Sequence, residues 1–144
     1  MKRSSKMRKK NRNLDNPGKT ITPAGLTNPP KPHEVEAAEI LALHYRTTVE
    51  FLKTIDDYKR KSADIKMHGV EWEMKRPEGN SKVTIKNQFQ RASKQARNII
   101  IDTRYTKLDY DTIVKKVQYE SQKRPYIKKI LLIDKQKNVV AFKE

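Results

Sequence analysis

Between residues 63 and 75 the chain alternates apolar and polar side chains on both sides of a histidine–glycine pair, in the sequence ADIKMHGVEWEMK. Apolar side chains at every second position are typical of a β-strand with one buried face. Because His68-Gly69 is a two-residue turn in which glycine supplies a positive φ, the pattern predicts a β-hairpin with strands at 62–67 and 70–76. The short loop sets the register, which pairs 67 with 70, 66 with 71, 65 with 72 and 64 with 73.

The periodicity of the remaining sequence predicts a mixed fold. Helices are predicted at Glu34–Tyr45, Thr84–Arg97 and Asp109–Ser121, and strands at Thr47–Lys53, Asn98–Asp102, Ile127–Asp134 and Asn138–Lys143. The strand at Asn98–Asp102 is apolar through its middle, so we expect it to lie buried at the centre of a sheet. The predicted fold class is α/β, a single domain with the element order αβββαβ and a C-terminal αββ extension.

Residues 1–32 lack this periodicity and are rich in Lys, Arg, Asn, Pro and Gly. We expect them to form a flexible basic tail, and residues 33–144 to form the folded domain. The tail either adds non-specific affinity for nucleic acid or serves as a linker or solubilising segment.

The net charge of +16 is shared between both parts of the chain. Residues 1–33 hold nine Lys and Arg against one acid, and the remaining 111 residues hold 24 basic side chains against 16 acidic ones. A cationic protein binds a polyanion by neutralising its phosphates and releasing counterions, so we expect a nucleic-acid partner. An anionic membrane surface is a weaker interpretation, because no basic amphipathic helix stands out.

Composition excludes several classes of protein. The chain has no cysteine, and therefore no disulfide framework and no thiolate metal site. Its longest apolar runs are four residues, too short to span a membrane. The basic N-terminus is not followed by an apolar stretch, so it is not a secretory signal. We expect a protein that acts in the cytoplasm, either where it is made or after delivery by a route that needs no such signal.

The predicted hairpin carries the strongest candidate chemistry. Asp64, Glu73 and Lys75 share one of its faces, because alternate residues of a strand point the same way. Directly opposed carboxylates destabilise a hairpin, so the predicted pairing of Asp64 with Glu73 calls for a compensating cation. Two carboxylates can bind Mg²⁺ or Mn²⁺, and a neighbouring lysine can orient the attacking water and stabilise the charge that develops on a phosphate. The alternative is an exposed charged face, since such strings arise by chance in a chain with 35% charged residues.

Two residues outside the hairpin are further candidates. Glu34 falls on the apolar side of the first predicted helix, where a carboxylate needs a partner or a metal. Its alternative role is to stabilise the start of that helix through the helix dipole. Gln95, in the second predicted helix, could present its amide to the scissile phosphate. Three tyrosines could stack on nucleotides: Tyr105, Tyr110 and Tyr126.

These residues match a known pattern. Glu34-x-x-Ala37-Ala38-x-x-Leu41, then Asp64 and Glu73-x-Lys75, resembles the PD-(D/E)xK nuclease signature, and αβββαβ is the core order of that superfamily. The stretches ADIKMHGVEWEMKRPEG and QFQRASKQARNIIID resemble more narrowly the C-terminal tRNase toxin domain of CdiA-type contact-dependent growth inhibition proteins. The likeness covers residues 33–144. The proline that precedes the aspartate in the superfamily is Ala63 here, a common variation.

The resemblance implies a restriction-endonuclease-like fold and a Mg²⁺-dependent ribonuclease that cuts tRNA and is neutralised by a cognate immunity protein. It implies catalytic roles for Glu34, Asp64, Glu73 and Lys75, with Gln95 in support, and metal ligation by Asp64, Glu73 and Glu34. The chain begins with Met and has no long delivery region, so we expect an orphan module, a mobile-element toxin or a domain exported by another route. Two other functions stay open: a metal-dependent DNase of the same fold, and a non-catalytic nucleic-acid-binding protein.

Overall fold

The computed structural model describes residues 17–26, 28–52, 63–92 and 97–143 as a mixed α/β domain. Its three helices are α1 (Pro32–Tyr45), α2 (Thr84–Ala92) and α3 (Tyr110–Gln122). Its seven strands are β1 (Lys19–Ile21), β2 (Thr48–Phe51), β3 (Ile65–Met67), β4 (Val70–Lys75), β5 (Asn98–Asp102), β6 (Lys129–Ile133) and β7 (Val139–Lys143). From α1 to β7 the order of elements is the predicted one.

All seven strands belong to one sheet, in which their spatial order is their sequence order. Strand β3 runs antiparallel to both β2 and β4, whereas β4, β5 and β6 are parallel to one another and β7 returns antiparallel to β6. The predicted C-terminal extension is therefore not a separate unit, because β6 pairs with β5 and contributes to the same core. Strand β5 lies inside the sheet, as its apolar sequence predicts.

Each face of the sheet carries its own hydrophobic cluster, and β5 shows the division most clearly. Its Ile100 packs in the cluster beneath α1, together with Leu41 and Trp72. Its Ile99 and Ile101 point the other way and pack with residues of α2 and α3. Because alternate side chains of a strand lie on opposite faces, the burial of both faces explains why β5 and β6 are apolar throughout.

The hairpin is confirmed in position, and three of its four predicted residue pairs form. The ladder between β3 and β4 pairs Met67 with Val70, Lys66 with Glu71 and Ile65 with Trp72. Both loop residues have positive φ, 55° at His68 and 72° at Gly69, as a two-residue turn that matches the strand twist requires. The two-residue loop therefore determines which β4 side chains reach which face of the sheet.

The prediction that residues 1–32 form an unstructured tail is wrong for part of that range. Lys19–Ile21 forms β1, which pairs in parallel with β2 at the edge of the sheet. Gly18 explains how this segment docks: its φ is +98°, and a Cβ there would lie 2.2 Å from the carbonyl oxygen of Ala42 in α1. Only glycine permits so close a backbone approach. Residues 1–16 lie outside the described residues.

Strand β5 has its predicted bounds, and the other element boundaries that the structure describes differ from the predictions by at most three residues. Helix α1 begins at Pro32 rather than Glu34, because proline suits the first turn, where an amide donor is not needed. Helix α2 is described to Ala92, and residues 93–96 of the predicted helix lie outside the described residues. Over the described residues, no helix has the length and apolar character needed to cross a membrane.

Candidate active site

The candidate residues gather where several elements end at one edge of the sheet. A cavity of about 330 Å³ is lined there by Leu52 after β2, Asp64 before β3, Met74 near the end of β4, and Lys31 and Glu34 at the start of α1. The carboxyl end of β4 lies at this edge, next to that of its parallel neighbour β5. Ligands of α/β proteins commonly bind at the carboxyl ends of parallel strands.

Asp64 is held against the main chain of β4. Its backbone N–H donates to the Trp72 carbonyl over 2.9 Å, and its Oδ2 accepts from the Met74 N–H over 2.7 Å. Met74 is the residue between Glu73 and Lys75, so the Asp64 carboxylate lies beside the Glu-x-Lys motif.

The predicted cross-strand pair of Asp64 with Glu73 does not form in the ladder. Trp72 is the ladder partner of Ile65, and its carbonyl also accepts the Asp64 amide, so two residues of one strand oppose one of the other, as in a β-bulge. The side chain of Asp64 competes for the next backbone donor, which explains the change of register. The Asp64 carboxylate accepts from the Met74 amide, and the Glu73 carboxylate pairs with the Lys75 ammonium.

Glu73 and Lys75 form an ion pair of 3.0 Å between Oε2 and Nζ, with side chains that are 7% and 15% exposed. Among the described residues, Glu73 is the one partner of the Lys75 ammonium. In the ladder between β4 and β5, Glu73 pairs with Ile99 and Lys75 pairs with Ile101. Both isoleucines belong to the hydrophobic cluster that packs against α2 and α3. Both side chains thus leave β4 on the face opposite α1.

Glu34 lies on the α1 side and lines the same cavity as Asp64. Its Oε1 accepts the Lys31 N–H over 2.8 Å and so satisfies a backbone donor at the start of α1. The capping role considered for this residue is therefore present, in a half-buried residue that also lines the cavity. Gln95, the remaining predicted site residue, lies outside the described residues.

The donors fit a hard divalent cation in their chemistry. Asp64, Glu73 and Glu34 offer oxygen ligands only, the type that Mg²⁺ and Mn²⁺ prefer. Over residues 17–26, 28–52, 63–92 and 97–143, no three acidic or histidine side chains form a group that could hold a metal ion. Mg²⁺ is commonly held by one or two carboxylates and keeps several waters, so Asp64 with one further acid is a sufficient protein contribution.

A second acid–cation pair, which the sequence analysis missed, follows β5. Asp102 is 3% exposed and forms a bidentate ion pair with Arg104. Arg104 Nε donates to Oδ1 over 2.9 Å, and Nη2 donates to Oδ2 over 2.8 Å. Arg104 also donates through Nη1 to Glu36 and through Nη2 to the His33 carbonyl over 3.0 Å. These contacts tie the end of β5 to the first turn of α1, and thereby hold the segment that carries Glu34.

The electrostatics of this second pair agree with its geometry. Hydrogen bonds to Asp102 raise the pKa of Arg104 above its ordinary value, against the opposing effect of burial. The hydrogen bond from Arg104 lowers the pKa of Glu36 below its ordinary value of 4.5. Asp102-x-Arg104 has the same acid-x-cation spacing as Glu73-x-Lys75, and that spacing at the end of an apolar strand is the signal that could have identified it.

The fold and the site define a single-domain α/β protein with carboxylates and a lysine at the carboxyl edge of its sheet. The family model of the contact-dependent growth inhibition CdiA C-terminal domain matches residues 61–139, more than half of the chain. The protein belongs to this family.

A solved structure with the same fold is described as the "CdiA-CT/CdiI toxin and immunity complex from Burkholderia pseudomallei". It is 18% identical to this chain with a TM-score of 0.63, and the match covers 88% of this chain and 100% of that one. A comparison with curated protein sequences finds no match.

Proposed function

We propose that the protein is a metal-dependent endoribonuclease that hydrolyses phosphodiester bonds in tRNA, and that it serves as the toxin module of a contact-dependent growth inhibition system. The observation that carries this proposal is the hydrogen bond from the Met74 amide to Asp64. It sets one carboxylate beside the buried Glu73–Lys75 pair, at the edge of the sheet where Glu34 also lies.

The element order supports a restriction-endonuclease-like core for this site. Helix α1, strands β2 to β4, helix α2 and strand β5 follow one another as αβββαβ. The core of the proposed nuclease would then comprise these six elements, with Asp64 before β3 and the Glu-x-Lys motif at the end of β4.

Lys75 is the proposed group that acts on the scissile phosphate. Its ammonium has three N–H donors, and Glu73 is its partner among the described residues. Glu73 holds the lysine in place, and the remaining donors can bind a phosphate oxygen or the attacking water. A fixed cation in a largely buried position stabilises developing negative charge more strongly than one surrounded by water.

Asp64 and Glu73 are the proposed metal ligands, and Glu34, on the α1 side, would bind one of the waters of the metal ion. A bound Mg²⁺ would polarise the phosphate and lower the pKa of a water molecule. Asp64 suits its role because the Met74 amide fixes one carboxylate oxygen, and Glu34 suits its role because Arg104 ties the first turn of α1 to β5.

Three observations support tRNA as substrate and an immunity protein as partner. The net charge of +16 favours a polyanion. The chain belongs to the CdiA C-terminal domain family. The solved structure that shares its fold is a toxin and immunity complex. We infer that a cognate immunity protein binds this domain, and that the domain acts after delivery into the cytoplasm of a target cell.

The test is incubation of the protein with tRNA and, separately, with plasmid DNA, each in Mg²⁺ and in EDTA. We expect cleavage of tRNA in Mg²⁺ only. Asp64→Asn keeps an oxygen that can accept from the Met74 amide but removes the charge, so the fold should persist while cleavage falls by about 10²-fold or more. Glu71→Gln, an exposed acid on the same strand, is the matched control and should cleave as the unaltered protein does.

Each contrary outcome removes a different part of the proposal. Cleavage that persists in EDTA would refute the metal-dependent mechanism. Cleavage of DNA with intact tRNA would replace the substrate and favour the DNase alternative. Binding of both polymers without cleavage of either would leave only a nucleic-acid-binding protein.

A further inference from the structure

Tyr105 is an aromatic residue whose side chain contacts the sequence neighbours of two candidate site residues, Lys75 and Glu34. Its ring centroid is 5.1 Å from the guanidinium of Arg76, the residue that follows Lys75. It also contacts His33 and Glu36, which flank Glu34 at the start of α1. The ring therefore lies close to the chain segments that carry Lys75 and Glu34.

The ring is held in place while much of it stays accessible. The hydroxyl donates to Glu36 Oε1 over 3.5 Å, the His33 ring meets it edge-on at 6.5 Å between centroids, and the Arg104 guanidinium lies 5.1 Å from its centroid. The residue is nevertheless 42% exposed. An aromatic side chain that is already ordered loses little conformational entropy when a ligand stacks on it.

The two guanidinium groups near this ring differ in their ion-pair partners and in their exposure. Arg104 is neutralised by Asp102 and Glu36 and is 6% exposed. Arg76 pairs with Glu78 at 2.8 Å, and these side chains are 30% and 62% exposed. A solvent-exposed ion pair contributes little free energy, so an anionic ligand can compete for Arg76.

We propose that Tyr105 and Arg76 form a subsite for one unpaired nucleotide of the substrate strand, whose base stacks on Tyr105 and whose phosphate binds Arg76. The chemistry is that of single-strand recognition, in which aromatic side chains stack on bases and cations bind the backbone. The location of this subsite rests on the proposed nuclease function, but the subsite itself is a binding property that can be measured without cleavage.

Tyr119 supplies a matched control. It is 57% exposed and has Lys123 Nζ at 5.0 Å from its ring, so it also pairs an accessible tyrosine with a cation. Both residues lie at the C-terminal end of α3, and neither has a contact with Glu34, Asp64, Glu73 or Lys75, the candidate site residues that the structure describes. Aromatic character and charge are thus similar in the two places, and only the position relative to the site differs.

The experiment measures the affinity of the full chain for a short labelled single strand by fluorescence anisotropy, in EDTA and in a Lys75→Gln background that prevents cleavage. RNA, DNA and duplex RNA of the same sequence are compared. Tyr105→Ala should weaken single-strand binding by roughly 5- to 100-fold, and Tyr105→Phe should recover most of that loss because it keeps the ring. Arg76→Gln should remove one phosphate contact. The slope of log K against log salt concentration should therefore become shallower by about 0.7 for a single strand.

Tyr119→Ala should change the affinity by less than about twofold. The proposal is overturned if Tyr105→Ala weakens binding no more than Tyr119→Ala, or if the duplex is affected as much as the single strand. If Tyr105→Ala does not fold, an unchanged salt slope in Arg76→Gln overturns it instead. If Tyr105→Ala weakens binding of RNA and DNA equally, the subsite recognises the base and the phosphate. If it weakens binding of RNA alone, the subsite also recognises the ribose. Failure here leaves cleavage of tRNA untouched, and failure to cleave leaves this binding result valid.

Discussion

Two acid-x-cation pairs stand side by side at the ends of parallel strands β4 and β5, and they differ in how fully their cations are bound. Arg104 makes four side-chain hydrogen bonds, to Asp102, Glu36 and the His33 carbonyl. Lys75 has Glu73 as its one partner among the described residues. A saturated cation joins elements of the fold, whereas a buried cation with donors to spare can act on a ligand. The same short sequence pattern therefore serves two purposes, and only the surrounding contacts distinguish them.

The same substitution at both positions tests this difference, and the largest expected effect is on cleavage. Lys75→Gln retains an amide that can donate to Glu73 but removes the positive charge. We expect the rate of tRNA cleavage to fall by about 10²- to 10³-fold, because a fixed donor to the transition state is lost. Single-turnover kinetics with saturating protein measure this step. A variant that cleaves within a few fold of the unaltered protein would show that Lys75 is only a structural partner of Glu73.

Arg104→Gln should have its main effect on stability instead. The substitution leaves Asp102 buried without its cation, and removal of one partner from a buried ion pair costs about 3 kcal/mol or more. Urea unfolding measures the change. Lys75→Gln is the comparison, with a smaller expected loss, because it removes one ion pair within a single strand and no contact between elements. The contrast would be refuted if Arg104→Gln unfolded like the unaltered protein. Any loss of cleavage in Arg104→Gln should be accompanied by loosening of α1, since this side chain ties that helix to β5.

The comparison also shows what could be predicted from sequence. The hairpin register between β3 and β4 was predictable, because a two-residue loop and strict alternation admit one pairing. The cross-strand partner of Asp64 was predicted one residue away from the observed one: Glu73 was expected, and the Asp64 amide bonds to Trp72. The Asp64 side chain accepts the Met74 N–H, which a regular ladder would leave to the backbone. The pattern of apolar positions cannot predict a hydrogen bond of this kind.

Strand β1 and the Arg104 contacts escaped prediction for a different reason. Three residues are too few to show a hydrophobic period. Strand β1 forms because its backbone pairs with β2 and packs closely against α1 at Gly18. Arg104 meets Glu36 and His33 across 68 and 71 positions of the sequence. Contacts over such distances depend on the packed fold, so the Asp102-x-Arg104 string alone could not reveal its partners.

The smallest expected effect concerns the outer partner of Arg104. Glu36 has its pKa lowered by the hydrogen bond from Arg104, so its carboxylate stabilises the fold at pH values above 4.5, and that contribution is lost as the pH falls through the lowered pKa. Glu36→Gln should therefore be less stable than the unaltered protein at pH 7, by less than Arg104→Gln, and the difference should shrink in acid. Urea midpoints at pH 7 and near pH 3 measure both values. Exposed Glu39→Gln is the control, and a difference between Glu36→Gln and the unaltered protein that grew in acid would contradict the assignment of Glu36 as a charged partner of Arg104.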